Sequence, residues 1–214
     1  SILLILIGCE KQTIQISCDE LLEQAYEKSP LNNFEKNKFK DLFLNRYPEF
    51  DIMFEEAAQE TGIEKNLLAA ISFQESQWDP RAQSNMGVRG MMMVTLETAA
   101  LVGVEKRLNP EQNIKGGAKY FAMLKEKNIV GETDADQLST VLASYNLGPT
   151  NINKIANQIN SDVQTVTWTE IREKLKVIKG SELNLVDRES YSRGQQAIDY
   201  VDRVKSYYQL LSAH

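Results

Sequence analysis

Between Leu67 and Met93 the chain reads LLAAISFQESQWDPRAQSNMGVRGMMM, and Glu75 places a proton-carrying group there among apolar neighbours. Wound as a helix at about 100° per residue, Leu67, Leu68 and Ile71 share one apolar face, and Glu75 falls between the directions of Ile71 and Leu68. A carboxyl brought to such a face either finds a cation or keeps its proton with a raised pKa. A raised pKa suits a general acid. The plainer alternative is a carboxylate at the edge of the stripe that turns to water, since ion-pair networks also place acids at such edges. Pro80 cannot continue a helix and disfavours the helical region for Asp79. The helix is therefore expected to stop near Trp78, leaving Glu75 in its last turn and facing a loop, where sites form. That loop carries Ser84, Asn85, Gly87 and Gly90, then Met91, Met92, Met93 and Val94. Its two glycines let the backbone bend close to a ligand; an ordinary glycine-punctuated connection followed by core methionines is the alternative. Asp79, placed just before proline, is expected to cap a turn rather than serve as a second acid.

Composition narrows the chemistry further. With 214 residues, 42% hydrophobic and 25% charged, the chain can bury a sizeable core and reads as one domain with an N-terminal extension. A net charge of -6 argues against nucleic acid as a partner. The one histidine is His214, so no Ser-His-Asp or Cys-His mechanism and no histidine-ligated zinc is available. Cys9 and Cys18 cannot by themselves build a thiolate cage, so neither metal nor cofactor is expected. Carboxylates, hydroxyls, amides and tyrosines remain.

The elements that must position these groups are helical throughout. Asp19 to Lys28 reads as a short helix stopped by Ser29-Pro30. Phe34, Phe39, Leu42, Phe43 and Tyr47 mark a helix ending before Pro48. Pro48 then opens a helix with Phe50, Met53, Phe54, Ala57 and Ala58 as its stripe and Gly62 as its stop. After the loop, Thr95 caps a short helix through Leu101 closed by Gly103, and Asn109-Pro110 opens a longer one to about Asn128. Within the latter, Gly116-Gly117 costs roughly 1 kcal/mol per glycine relative to alanine, and close packing against another backbone is the expected compensation. A helix from Asp134 ends in ASYNLGP, where Gly148-Pro149 is a stop, so Tyr145 and Asn146 again lie in a last turn facing a loop. An amphipathic helix end is the alternative there. Asn151 to Asn160 reads as a polar helix, and Thr167 with Glu170 has capping-box spacing. Ser192 to Leu211 is a long helix carrying Gln196, Tyr200, Val201 and Val204.

The N-terminus begins SILLILIGCEKQ, and Ile2 to Ile7 are far short of the roughly 20 apolar residues that cross a bilayer. They match the end of a signal-peptide apolar region, and Leu6-Ile7-Gly8-Cys9 resembles the bacterial lipobox, whose cysteine is acylated. On that reading residues 1–8 are the end of a lipoprotein signal peptide, 9–33 a tether and 34–214 the folded domain. A strand, a chance cysteine or a Cys9–Cys18 disulfide are the alternatives.

Several motifs then fall in a recognisable order. QESQWDPRAQSNMGVRGMMM resembles the first two motifs of the lytic murein transglycosylases with a goose-lysozyme-like (SLT) domain, and ASYNLGP resembles their Ala-Tyr-Asn-x-Gly motif, with Ser144 in place of the usual alanine. The VRGMMM form, with Met93 where most relatives carry Gln, is similar to the membrane-bound lytic murein transglycosylase F branch, as is the run from Phe34 to Trp78. That branch usually carries a solute-binding-like domain ahead; residues 1–33 are too short for one, so its role is not expected here. The resemblance implies an all-α, lysozyme-like fold and a substrate of peptidoglycan glycan strands. It implies Glu75 as the catalytic acid and then base, with Ser84, Met93, Tyr145, Asn146, Gln196 and Tyr200 binding substrate, and with the Asn113-Ile114 element supporting the catalytic helix. Gln196 stands where the family carries an acid, which removes any charged contact made there. It also implies a monomer in the periplasm, anchored through Cys9 in the outer membrane of a Gram-negative bacterium. A single acid fits substrate-assisted cleavage between N-acetylmuramic acid and N-acetylglucosamine better than the paired acids of most hydrolases. A goose-type lysozyme hydrolase and a non-catalytic peptidoglycan-binding module are the alternatives.

Overall fold

A computed structural model describes residues 17–85, 87–178 and 190–214, and these are helical with no strand. Ten helices follow one another: α1 Cys18–Lys28, α2 Asn33–Asn45, α3 Asp51–Thr61, α4 Lys65–Ser76, α5 Leu96–Val102, α6 Pro110–Lys127, α7 Asp134–Leu147, α8 Pro149–Ile159, α9 Trp168–Val177 and α10 Ser190–Ala213. Their limits follow from local chemistry. Capping boxes at Ser17, Asn32, Thr133 and Thr167 satisfy the first free N–H groups of α1, α2, α7 and α9. Thr95 and Asn109 cap α5 and α6. Gly62 and Gly103, at φ +68° and +77°, close α3 and α5 in the left-handed conformation that glycine adopts without cost. Pro48, expected to open a helix, sits instead in a 3-10 turn over Tyr47–Glu49 that leads into α3.

Helix α4 is the axis of the molecule, packed along α10 and against α3, while α10 also runs against α1, α7 and α9. Its side chains from Leu67 to Phe73 are all buried, so α4 is enclosed on every side. This corrects the expectation of a single apolar stripe. Ala69, Ala70 and Ser72 are small enough for neighbouring helices to close over the faces that a surface helix would leave polar. At its C-terminal end Trp78 is fully buried and donates its indole N–H to the Ala69 carbonyl at 2.9 Å. The rings of Phe39, Phe73 and Tyr207 surround this end, with centroids 4.5 to 5.4 Å apart, the spacing at which edge-on and offset pairs are favourable.

One expectation changes in detail. The Gly116-Gly117 pair does pack closely, but against side chains rather than backbone: a Cβ on Gly116 would lie 2.2 Å from Val104 Cγ2, and one on Gly117 2.6 Å from the Met92 side chain. Within residues 9–33, the short helix expected from Asp19 to Lys28 is α1, and it docks on α10. The Tyr26 hydroxyl lies 3.2 Å from His214 Nε2, and the His214 ring stacks on Phe43. Cys9 and the lipobox lie outside the described residues. No helix among the described residues is long and apolar enough to cross a membrane.

The α9–α10 crossing depends on Gly194, where a Cβ would stand 2.1 Å from the Leu175 carbonyl oxygen. Backbone cannot yield as a flexible side chain does. Gly194→Ala is therefore expected to lower unfolding free energy by roughly 1–3 kcal/mol, read as a lowered urea midpoint.

Candidate active site

Glu75 lies in the last turn of α4, and the chain leaves that turn under tension. Gln77 and Trp78 both take left-handed φ values, 54° and 59°, unusual for residues with a Cβ. The buried indole of Trp78 and the Arg46 guanidinium, which donates to the Gln77 carbonyl at 2.9 Å, hold this conformation in place. Asp79 then accepts from the Arg81 N–H at 2.9 Å, the turn-capping role expected of it.

The loop that follows folds back over the end of α4. Across a tight turn the Ser84 N–H donates to the Val88 carbonyl and the Val88 N–H to the Ser84 hydroxyl oxygen, and Arg89 pairs in isolated antiparallel bridges with Gln83 and Val94. Asn113, fully buried in α6, ties this turn to the helices. Its Oδ1 accepts from the Met92 N–H at 2.7 Å, and its amide nitrogen donates to the Arg89 and Arg107 carbonyls at 2.9 and 2.8 Å. Gly90, at φ +83°, must be glycine because a Cβ would meet the Arg107 carbonyl at 2.3 Å and the Asn113 amide at 2.4 Å. From α4, Ser72 and Ser76 both donate to the Met91 carbonyl, at 3.0 and 2.7 Å. From α7, the Tyr145 hydroxyl donates to the Met92 carbonyl at 2.9 Å.

The Glu75 carboxyl sits inside this frame. Some of the side chain still reaches solvent, yet burial of the carboxyl pushes its pKa up to about 7, against a weaker opposing pull from the Tyr200 hydroxyl. Tyr145 and Tyr200 are themselves raised well above the ordinary tyrosine value, first by desolvation and then by the nearby Glu75 charge. The Tyr200 hydroxyl is buried and makes no hydrogen bond of standard geometry, yet it lies near enough to Glu75 to pull the carboxyl's pKa down. Among the described residues no second carboxylate perturbs Glu75, and no cluster of metal-ligating side chains is present.

The candidate residues divide accordingly. Glu75, Tyr145 and Tyr200 are brought together from α4, α7 and α10. Met93 follows the anchored Met91-Met92 pair, half-buried, at a left-handed φ of 47°. Ser84 uses its hydroxyl oxygen to accept from the Val88 N–H at 3.2 Å, and no hydrogen bond joins it to Glu75. Asn146 is half-buried and Gln196 exposed on α10, one turn before Tyr200; neither amide has a hydrogen-bond partner among the described residues. The supporting roles of Ser72 and Arg107 were not anticipated. Ser72 and Ser76 stand one helical turn apart and so share a face, a spacing visible in the sequence; nothing in the sequence around Arg107 marks it.

The raised pKa has a consequence for stability. A carboxyl with a folded-state value of about 7 against an ordinary 4.5 binds its proton more tightly in the native state, so stability is lost as pH rises from about 4.5 through 7. Above that window the ionised group costs up to about 3 kcal/mol. Glu75→Gln, which stays neutral, is expected to be more stable than the parent chain at pH 8 by that order, the difference vanishing below pH about 4.5; urea denaturation across pH measures it.

Residues 52–166 match the family described as Transglycosylase SLT domain. The chain is 41% identical over 170 residues to membrane-bound lytic murein transglycosylase F 1 of Alkalilimnicola ehrlichii, covering 78% of this chain and 34% of the relative. It is 36% identical over 196 residues to membrane-bound lytic murein transglycosylase F of Marinobacter nauticus, covering 90% of this chain and 39% of the relative. The chain thus spans little more than a third of the length of these curated relatives. Its fold is that of the 70 kDa soluble lytic transglycosylase from Escherichia coli, with a TM-score of 0.51 at 16% identity over 91% of this chain and 30% of that one. With more than half its length matched and with relatives of this identity, the chain belongs to the transglycosylase SLT domain family.

Proposed function

We propose that the chain is a peptidoglycan lytic transglycosylase that cleaves the β-1,4 bond between N-acetylmuramic acid and N-acetylglucosamine without consuming water. The observation that carries this reading is the Glu75 carboxyl, raised to about 7 by burial and perturbed by no second carboxylate among the described residues. A hydrolase of the common kind uses two acids flanking the bond. One acid suffices when the substrate supplies the rest. Protonated Glu75 gives its proton to the glycosidic oxygen as the C1–O bond breaks, and the N-acetyl carbonyl oxygen of the muramoyl ring supports the positive charge at C1. The C6 hydroxyl of the same ring then attacks C1 and returns its proton to Glu75, leaving a 1,6-anhydro end and a regenerated acid. A group acting in both directions works best with its pKa near the working pH.

The names of the relatives support the same reaction and substrate. Substrate contacts are assigned to Ser84, Met93, Tyr145, Asn146, Gln196 and Tyr200. Of these, Tyr145 and Tyr200 have the strongest support because they adjoin the reacting carboxyl. The Cys9 lipobox supports a lipid anchor, and with it a monomer working from the outer membrane into the periplasm of a Gram-negative bacterium.

Mass spectrometry of sacculi digested by the purified protein tests the reaction. Anhydro-muramoyl ends, one water lighter than reducing ends, are expected, and reducing ends in their place would make the protein a lysozyme-type hydrolase. Glu75→Gln is expected to lower turnover by at least 10³-fold, in keeping with the loss of a group that both gives and takes the proton. Turnover of the parent chain is expected to fall as pH rises beyond about 7, where Glu75 no longer holds its proton.

A further inference from the structure

Beyond Glu75, one other cleft is lined by charge that the protein leaves unused. It lies against the loop that closes over α4, encloses about 340 Å³, and is lined by Gly87, Arg89, Thr95, Leu96, Glu97 and Arg107. Neither guanidinium has a carboxylate within ion-pairing distance among the described residues, although Lys65, Lys115 and Lys119 each pair with one. Arg107 is fixed in orientation, because one Nη donates to the Gly87 and Val94 carbonyls at 2.7 and 3.1 Å. Arg89 has its backbone locked by the bridges to Gln83 and Val94, while its side chain makes no hydrogen bond among the described residues and its Nε is buried without a partner. Gly87 contributes no side chain, and the space where a Cβ would sit is open. Two arginines, one on the turn and one bonded to it from the segment before α6, line a cleft whose one acid, Glu97, ion-pairs with neither, and their planar donors suit the fork recognition of carboxylates.

We propose that this cleft binds a carboxylate of the stem peptide carried by the glycan strand, with Arg89 and Arg107 as its receptors. The proposal rests on the transglycosylase reading for the identity of the ligand, and on the cleft itself for its chemistry. Glu97 on the rim makes the charge of the lining one positive unit net, which suits a singly charged carboxylate better than a phosphate dianion. The cleft also shares its loop with the anchored Met91-Met92 pair. A peptide seated there therefore fixes the register of its strand relative to Glu75.

The test uses two readouts. Binding of the free tripeptide stem, followed by calorimetry, is expected to weaken about tenfold in Arg89→Gln, the loss of one charge-assisted fork. It is expected to tighten roughly twofold in Glu97→Gln, which removes a repelling charge at an exposed position. The second readout is the ratio of kcat/KM on strands bearing stem peptides to kcat/KM on strands stripped of them by an amidase, which Arg89→Gln is expected to lower by about the same factor. Tripeptide binding unaffected by both substitutions would overturn the proposal, and so would inorganic phosphate displacing the tripeptide at equal concentration. A parent chain that cleaves no glycan but still loses tripeptide binding in Arg89→Gln would overturn the transglycosylase reading and leave this one standing.

Discussion

Two consecutive peptide units, those of Met91 and Met92, are the point at which the site is fixed. The Met91 carbonyl accepts from Ser72 and Ser76, the Met92 N–H donates to Asn113, and the Met92 carbonyl accepts from Tyr145. Three helices thus hold three backbone atoms through four hydrogen bonds, and each bond lies in a partly or wholly buried setting where an unmade one costs about 1–3 kcal/mol. Asn113 spends its whole carboxamide on this task. The glycines at 90 and 117 follow from it, since loop, Asn113 and Met92 side chain come closer than a Cβ allows. Met93 can then tolerate its left-handed φ, a local cost of order 1 kcal/mol, because the residues before it have no alternative position.

The second constraint is the enclosure of α4. A helix buried on all sides contributes a large share of the core, but it leaves no polar face except at its ends. Ser72 and Ser76 on its last turns go to the loop, and Glu75 remains as its one buried carboxyl. Ionising Glu75 is opposed by desolvation, and its place at the C-terminal end of α4, where the helix dipole is negative, opposes it too. The packing that stabilises the fold and the environment that makes this carboxyl reluctant to ionise are therefore one arrangement. A chain optimised for stability alone would carry a neutral residue there.

Much of this was legible in the sequence because it is local. Helix ends are written in capping residues, prolines and glycines, so the stops at Gly62 and Gly103 and the capping box of Thr167 with Glu170 stand where the sequence puts them. Glu75 was legible for the same reason: an acid in an apolar turn before Trp-Asp-Pro breaks the local rule, and such breaks mark sites. What the sequence did not carry is long-range. Burial of α4 on every face depends on α10, more than a hundred residues later. The destination of the Tyr145 hydroxyl on a backbone carbonyl has no side-chain signature. Arg107 likewise reads as an ordinary surface cation until its bonds to Gly87 and Val94 are seen. Tyr26 and His214, 188 residues apart, also meet across α1 and α10 with no local signal for it.

The two tyrosines beside Glu75 differ in how their protons are committed. Tyr145 commits its hydroxyl hydrogen to the Met92 carbonyl, so to anything else nearby its oxygen offers only lone pairs. Tyr200 has its proton uncommitted, and its interaction stabilises the ionised carboxylate. Tyr200 is thus the hydroxyl that eases ionisation of Glu75, while desolvation favours the protonated form. A carboxyl under desolvation alone would be a poor donor, and one under the hydroxyl's pull alone would ionise too early to be an acid at neutral pH. Holding both against one carboxyl keeps its two protonation states close in free energy, the condition a single residue must meet to donate a proton and then take one back.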